Sequence, residues 1–514
     1  MKTLFDTCIS YISRNLELVQ YTETLPPVVK EILFEWLASH DFLVDWRVKN
    51  FVFGHQFGIN LRRVNFYLSD ELTDDMLVSL GVCSRQLQQI TIVHCNQVTD
   101  LGIQSISKDQ KQLVRLELRG LKHLSSEGLC NVFSPNLRFV DLSDCPQISS
   151  DGVVLMLTQN PYISALYLNH CKSVDDVALY AIGSHLGTGL RALELDFLQN
   201  IHDPASAIAN LTQSCPNLSQ LSLCRYFVLE SGLNILELNH QIYSAKLKEL
   251  DFYGNYFSVL PGLPSTITTL RLSCSGSENV QDLAFKLVML PHLTSLKLVV
   301  SCRESDEQDI ENVNGFLNYL LPQVGHKITT IQVQAYRISE KTLLTLCKYC
   351  TRLIYLSFDA RHMNAALLYQ IFSDRKRAYR LKGIKLSRAQ INYRLLTLIS
   401  RYCTNLEELE MSHMQSIDNR FVKALAIRCS KLRNVNFNGC RWVTDKGLCA
   451  LARACPLKEV RVRATSVTDK CVYVLAQCCP QLEWVAHADY TGKPKFSSEA
   501  LQTLRDSCVH RVIC

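Results

Sequence analysis

Cysteine, histidine and arginine are the side chains here whose chemistry asks first for an explanation. Cys347 and Cys350 form a CxxC pair, a spacing used for zinc thiolates and redox disulfides. No second CxxC lies near enough to complete a four-ligand site. Cys350 also falls at the end of an apolar helical stretch, where Cys215, Cys403, Cys429, Cys455 and Cys479 fall in their turn. The pair therefore reads as buried filler, and so does Cys478-Cys479 at the same position. The 14 histidines are dispersed, and none stands at a useful spacing from a carboxylate. There is no P-loop, GxSxG elbow, HExxH or dinucleotide fingerprint. Arg375, Lys376, Arg377 and Arg380 make a basic cluster, read as a helix C-terminus that favours positive charge before a nuclear-localisation patch. The expectation is a protein that is not an enzyme, with no catalytic residue, no metal and no cofactor.

The bulk numbers agree with a folded, non-membrane protein. The 514 residues are 47% hydrophobic and 20% charged. A net charge of +6, from 54 basic and 48 acidic groups, is too small an excess to point to nucleic acid. No run approaches the eighteen or so apolar residues of a membrane span. Asp6 and Arg14 interrupt what would be a signal-peptide core, so a cytoplasmic or nuclear location is expected. The 22 cysteines are spread along the chain at recurring points, as buried free thiols would be, and do not suggest a disulfide framework.

Those recurring points belong to an internal repeat. From Leu61 the pattern LxxLxL returns 17 times, starting at Leu61, Leu87, Leu113, Leu137, Ile163, Leu190, Leu218, Leu247, Ile267, Leu293, Ile328, Leu353, Leu381, Leu406, Leu432, Leu457 and Leu482. Each LxxLxL predicts a short strand with alternate residues turned inward. Eight residues after the first apolar position stands a cysteine (Cys95, Cys145, Cys171, Cys440) or Asn255, suited to satisfying loose backbone groups at a bend. Thr-Asp follows at Thr73-Asp74, Thr99-Asp100, Thr444-Asp445 and Thr468-Asp469, predicting an N-cap and an acid against the positive helix end. An apolar helical stretch then closes the unit. The pattern weakens over 247–327. There "LPGLP" predicts an extended segment, and the acidic 301–312 predicts a solvated loop.

These units resemble the cysteine-containing leucine-rich repeats common in F-box and related ubiquitin-ligase receptors. The resemblance implies an α/β solenoid over residues 61–508, a horseshoe with a parallel concave sheet and convex helices, followed by a tail at 509–514. Residues 1–60 stand outside the repeat. They read as two amphipathic helices, one carrying Leu4, Cys8 and Ile12 on a stripe, the other led by Pro26-Pro27 with Val29, Ile32, Leu33, Trp36 and Leu37 apolar. Two such helices cannot make a core alone and must cap the first repeat or bind a partner.

The segment TLFDTCISYI (3–12) resembles a BC-box, (A/P/S/T)LxxxCxxx(hydrophobic), through Thr3, Leu4, Cys8 and Ile12. The segment LPPVVKEIL (25–33) is similar to a cullin-2 box through Leu25, Pro26, Val29 and Leu33. Together they imply a substrate receptor of an Elongin-BC/cullin-2 RING ubiquitin ligase, broadly like the Zyg-11/Zer family, with Elongin C, Elongin B and cullin-2 as partners. Residues 25–60 also resemble an F-box, which would imply a Skp-type adaptor and cullin-1. A plain interaction scaffold, with both helices only covering the end of the array, is the third reading. If Leu4, Cys8 and Ile12 turn inward, the helix is a cap; if they face solvent, it is free to dock. For substrate, the residues between the strands' apolar positions single out Arg433, Arg461, Arg463 and Trp484. This basic-aromatic patch suits an acidic or C-terminal-carboxylate degron.

Overall fold

The computed structural model describes residues 4–16, 25–40, 42–227, 236–237, 242–274, 280–300, 307–488, 491–508 and 512–513. The chain divides into two compact units, Leu4–Ile267 and one made chiefly of Thr268–Cys514. Each is a stack of strand-and-helix repeats. Every one of the seventeen LxxLxL positions lies two residues before a strand, from Arg63–Tyr67 to Trp484–Ala486. Eight of these strands belong to the first unit and nine to the second.

The strands are too short to bury anything alone, and parallel pairing in strict register supplies what each lacks. In the first unit the pairing aligns Val64, Ile90, Leu116, Val140, Leu166, Leu193, Leu221 and Leu250 in one row. In the second it aligns Leu270, Leu296, Ile331, Leu356, Ile384, Leu409, Val435, Val460 and Val485. All are buried, each such side chain worth about 1.5–3 kcal/mol of transfer free energy.

Beyond the strand the backbone turns through a left-handed residue, as at His94, Asp144, His170, His413 and Gly439. That conformation aims an N–H at the next repeat: His94 N reaches Arg119 O at 2.8 Å, and Asp144 N reaches Asn169 O at 2.7 Å. The following cysteine points the other way. The Sγ of Cys145, Cys171 and Cys440 donates to Leu118 O, Leu142 O and Met411 O of the preceding repeat, at 3.0, 3.1 and 3.0 Å. Asn255 does more, donating from Nδ2 to Leu223 O and accepting from Phe227 N with Oδ1. The helix-end cysteines form a second ladder, Cys455 donating to Cys429 O at 3.3 Å and Cys429 to Cys403 O at 3.4 Å.

The Thr-Asp pairs act differently from the expectation. Thr99 and Thr444 do cap their own helices, but the hydroxyls of Thr73 and Thr468 do not. The acid's larger role is to bind the next repeat. Asp74 accepts from Thr99 N and Oγ1 at 2.9 and 2.6 Å, Asp100 from Ser125 N and Oγ at 2.7 and 2.6 Å, and Asp445 from Thr468 N and Oγ1 at 2.8 and 2.6 Å. The reason is geometric: a helix start leaves N–H groups unsatisfied, and the neighbouring helix start is the nearest source of an acceptor.

Three further expectations are revised. Of the acidic 301–312, residues 301–306 lie outside the described residues, and Glu307–Val324 is a helix where a loop was expected. The 509–514 tail is not wholly separate from the array: Ile513 bridges Trp484, with Val485 N donating to its carbonyl at 2.8 Å. Arg375–Arg380 is a helix of its own, with the basic cluster beginning at its N-terminus. Two of its arginines serve the end of the preceding helical region, Arg377 donating to Cys347 O and Arg380 to Thr351 O, at 2.7 and 3.0 Å.

Replacing Asp100 with alanine removes both acceptors of the Ser125 clamp without emptying the core. A loss of about 1–3 kcal/mol is expected, the cost of leaving partly buried donors unmatched, read as a lower urea midpoint at unchanged slope.

Candidate functional site

Among the described residues four α-helices precede the first strand: α1 (Leu4–Arg14), α2 (Pro27–Ser39), α3 (Trp46–Val52) and α4 (His55–Gly58). Proline at the start of α2 is tolerated because the first turn needs no N–H donor. Leu33, Phe34 and Leu37 are wholly buried. Phe34 meets Phe66 of the first strand edge-on at 5.0 Å and Phe53 at 5.7 Å, so α2 seals the apolar end of the stack.

It also closes the edge of the sheet. A first strand has unpaired backbone groups on one side, a template for unwanted pairing. The buried Glu31 carboxylate accepts from Arg62 N and Arg63 N at 2.9 and 3.2 Å and from Arg63 Nε at 3.0 Å. Glu35 accepts from Asn65 Nδ2 at 3.2 Å. Sequence reasoning did not single out Glu31; its signal was an acid set among the apolar positions of α2. Lys30 is buried beside it and donates to Ile59 O.

α1 packs on α2 differently. Ile9, Ser13 and Leu16 are buried and fasten it. Thr7 and Cys8 are exposed, Tyr11 is 63% exposed, and Ile12 is half-buried. Of the BC-box positions, Thr3 lies outside the described residues, Leu4 opens the helix, Cys8 faces solvent and Ile12 sits at the boundary. Of the cullin-box positions, Pro26 is exposed, Leu25 and Val29 are half-buried, and Leu33 is committed to the core.

Nearly all described cysteines differ from Cys8. Burial pushes the thiols of Cys145, Cys429 and Cys350 up to about 12, and those of Cys440 and Cys347 up to about 11. They stay protonated at neutral pH, as donors to carbonyls must. Cys347 and Cys350 belong to this group, and Cys347 Sγ donates to Leu367 O at 3.6 Å. Among the described residues no cluster of three or more metal-ligating side chains occurs, and no helix is long and apolar enough to cross a membrane.

On the open side of the second sheet, Lys385, Glu410, Asn434, Asn436, Glu459 and Arg461 line a shallow polar depression. Its charges are paired: Lys385 lies 3.7 Å from Glu410, Arg461 lies 3.3 Å from Glu459, and above them Lys382 meets Glu407 at 3.0 Å. Of the four expected substrate residues, Arg461 and Trp484 stand on neighbouring strands, and Trp484 is 40% exposed. Arg433 is exposed at the strand's entry, one repeat before Lys458. Arg463 lies past its strand, with its Nε buried and lacking a hydrogen-bond partner. The structure therefore spreads these residues over four positions of the repeat. The asparagines at 434 and 436 were not foreseen.

Comparison with known proteins agrees with the architecture. A family model described as Leucine Rich repeat matches residues 133–157. This is the leucine-rich-repeat fold. F-box/LRR-repeat protein 4 of Bos taurus is 26% identical over 151 residues, 29% of this chain and 24% of that protein. DNA repair protein rhp7 of Schizosaccharomyces pombe is 26% identical over 186 residues, 30% of this chain and 32% of that protein. The matches thus span less than a third of these curated relatives. In the crystal structure of the yeast Rad7 and Elc1 complex, one chain is 14% identical, with a TM-score of 0.34 over 97% of this chain and 96% of that one.

Thiol reactivity checks the orientation of α1. With a disulfide reagent at pH 8, the exposed Cys8 and Cys130 react within minutes, whereas Cys145, Cys171 and Cys440 react only in denaturant. A Cys8→Ala variant that loses no fast-reacting equivalent would place α1 with that face inward.

Proposed function

We propose that the chain is the non-catalytic substrate receptor of a cullin-RING ubiquitin ligase, with α1 docking Elongin C of an Elongin-BC/cullin-2 assembly. The observation that carries this is the division of labour between the first two helices. α2 already covers the end of the stack, so the cap does not need α1's outer face. That face carries Thr7, Cys8 and Tyr11 in solvent, while Ile9, Ser13 and Leu16 hold the helix in place. A cysteine there is small enough for a partner helix to approach closely. With Leu33 held in the core, contact with cullin-2 would fall to Leu25, Pro26 and Val29, beside the exposed Val28. A cytoplasmic or nuclear location follows from this role.

The F-box reading has its own support. Val44, between α2 and α3, and Trp46, the first residue of α3, are 64% and 66% exposed, and F-box/LRR-repeat protein 4 is among the curated relatives. On that reading residues 25–60 would dock a Skp-type adaptor of a cullin-1 ligase.

Purified Elongin B/C and a Skp-type adaptor, each titrated against the full chain by calorimetry, separate the two. Elongin C is expected to bind, and Cys8→Phe to weaken it at least tenfold while the thermal midpoint holds, because Cys8 is exposed. Binding of the Skp-type adaptor, lost on Trp46→Ser and indifferent to Cys8→Phe, would replace the proposal by the F-box reading.

Substrate is proposed to dock on the open sheet face of the second unit through Arg433, Arg461, Arg463 and Trp484, as an acidic or C-terminal-carboxylate degron. Arg433→Glu with Arg461→Glu is expected to abolish recruitment of captured substrates while adaptor binding is kept. Undiminished recruitment would remove the degron assignment and leave the adaptor site standing.

A further inference from the structure

The small net charge of the chain averages away one local excess. Between Tyr369 and Cys403 the sequence has nine lysines and arginines against one acid, Asp374. On the helical side of these repeats, Tyr393–Tyr402 and Asn419–Arg428 carry Arg394, Arg401, Arg420, Lys423 and Arg428 and no acidic residue. All five are exposed, and so are Arg375, Lys376 and Arg380 of the short helix before them.

The acids on this side are occupied by the fold. Asp374 accepts from Lys376 N and Arg377 N, and Asp418 accepts from Arg420 N and Phe421 N while meeting the Arg420 guanidinium at 2.9 Å. On the sheet side of the same repeats Lys382 pairs with Glu407 and Lys385 with Glu410. Over 369–428 most of the uncompensated positive charge thus lies on the helices, with exposed Arg388 past its strand as the exception.

These arginines are also held in place. Arg394 lies over the Tyr369 ring at 4.5 Å and donates to its hydroxyl at 3.1 Å. One repeat on, Arg420 lies over Tyr393 at 5.5 Å. Arg375 and Arg401 both lie over Tyr402, at 5.3 and 5.4 Å. Stacking orders a guanidinium while leaving N–H groups free to donate outward, so less entropy is lost when an anion arrives. Packed helices repeat at about 10 Å, which spaces the stacked guanidinium groups of successive outer helices along one face.

We propose that the face made by Arg375–Arg380, Tyr393–Tyr402 and Asn419–Arg428 binds duplex nucleic acid through its phosphate backbone. A regular, stiff polyanion matches a row of ordered cations, and guanidinium forks suit phosphate oxygens. A single strand is the poorer match, because the tyrosine faces that would stack on unpaired bases already carry guanidinium groups. An acidic peptide is poorer too: it would have to be ordered along the row, whereas duplex phosphates are already fixed.

The test is fluorescence anisotropy of the full chain with a labelled duplex DNA of about two helical turns, across a salt series. The variant Arg375→Gln/Arg394→Gln/Arg401→Gln/Lys423→Gln is expected to bind at least tenfold more weakly, with the log–log salt slope reduced by about 3.6, near 0.9 for each of four phosphates no longer neutralised. The sheet-side control Lys382→Gln/Lys385→Gln should bind within twofold of the parent. Because removing stacked arginines can loosen the helices, Arg375→Lys/Arg394→Lys/Arg401→Lys is run beside it, and it should keep most of the affinity. Unchanged binding by the glutamine variant, or an equal loss in the sheet-side control, overturns the assignment. So does tighter binding of a single strand or of polyglutamate than of the duplex.

Discussion

The regular repeats leave backbone groups at two bends, after the strand and at the helix start, that their own residues do not satisfy. A buried unpaired amide or carbonyl costs as much as a lost hydrogen bond, so these groups must find partners in the neighbouring repeat. The left-handed turn residue hands its N–H forward, as His94 does to Arg119. The cysteine after it hands a thiol proton back, as Cys145 does to Leu118. The acid at the helix start takes the next repeat's amide and hydroxyl together, as Asp100 does with Ser125. These bonds set the register that aligns the apolar row from Val64 onward, and the core follows from them.

Such dependence on neighbours has to stop somewhere, and the manner of stopping shapes what the N-terminal helices are free to do. At the first strand there is no preceding repeat to bond. α2 replaces it, with Glu31 as the acceptor for two strand amides and Phe34 as apolar cover for Phe66. Because α2, with α4 beside it, meets that need, α1 can be fastened along Ile9 and Leu16 and still present Cys8 outward. The proposed adaptor site is therefore a consequence of the cap being complete without it.

The same logic separates the two faces of the second unit. Strand side chains on the open sheet stand one strand spacing apart, close enough for opposite charges on adjacent strands to pair, as Lys382 and Glu407 do. Outer helical positions lie about twice as far apart, so their charges pair less readily across repeats. Long arginines reach tyrosines there instead of acids, as Arg394 reaches Tyr369. A chain-wide charge sum is blind to this difference, which is why the basic cluster read as a local helix-end preference.

The periodicity of leucine and cysteine determined the fold by itself, because a repeat with a fixed apolar spacing has one way to bury that face: against copies of itself. All seventeen strand positions were legible for that reason, and so was the burial of Cys145, Cys171 and Cys440. The amphipathic character of residues 4–16 and 27–39 was legible too. Sequence could not say which stripe of each helix turns inward, since a period of 3.6 defines a face but not its neighbour. Only the tertiary structure decided that Leu33 belongs to the core and Cys8 to the surface, that Asp100 serves the next repeat more than its own helix, and that Arg461 meets Glu459. Each of these depends on residues brought together from different repeats or elements, or on the direction a side chain takes once packed, and distance along the chain carries no record of either.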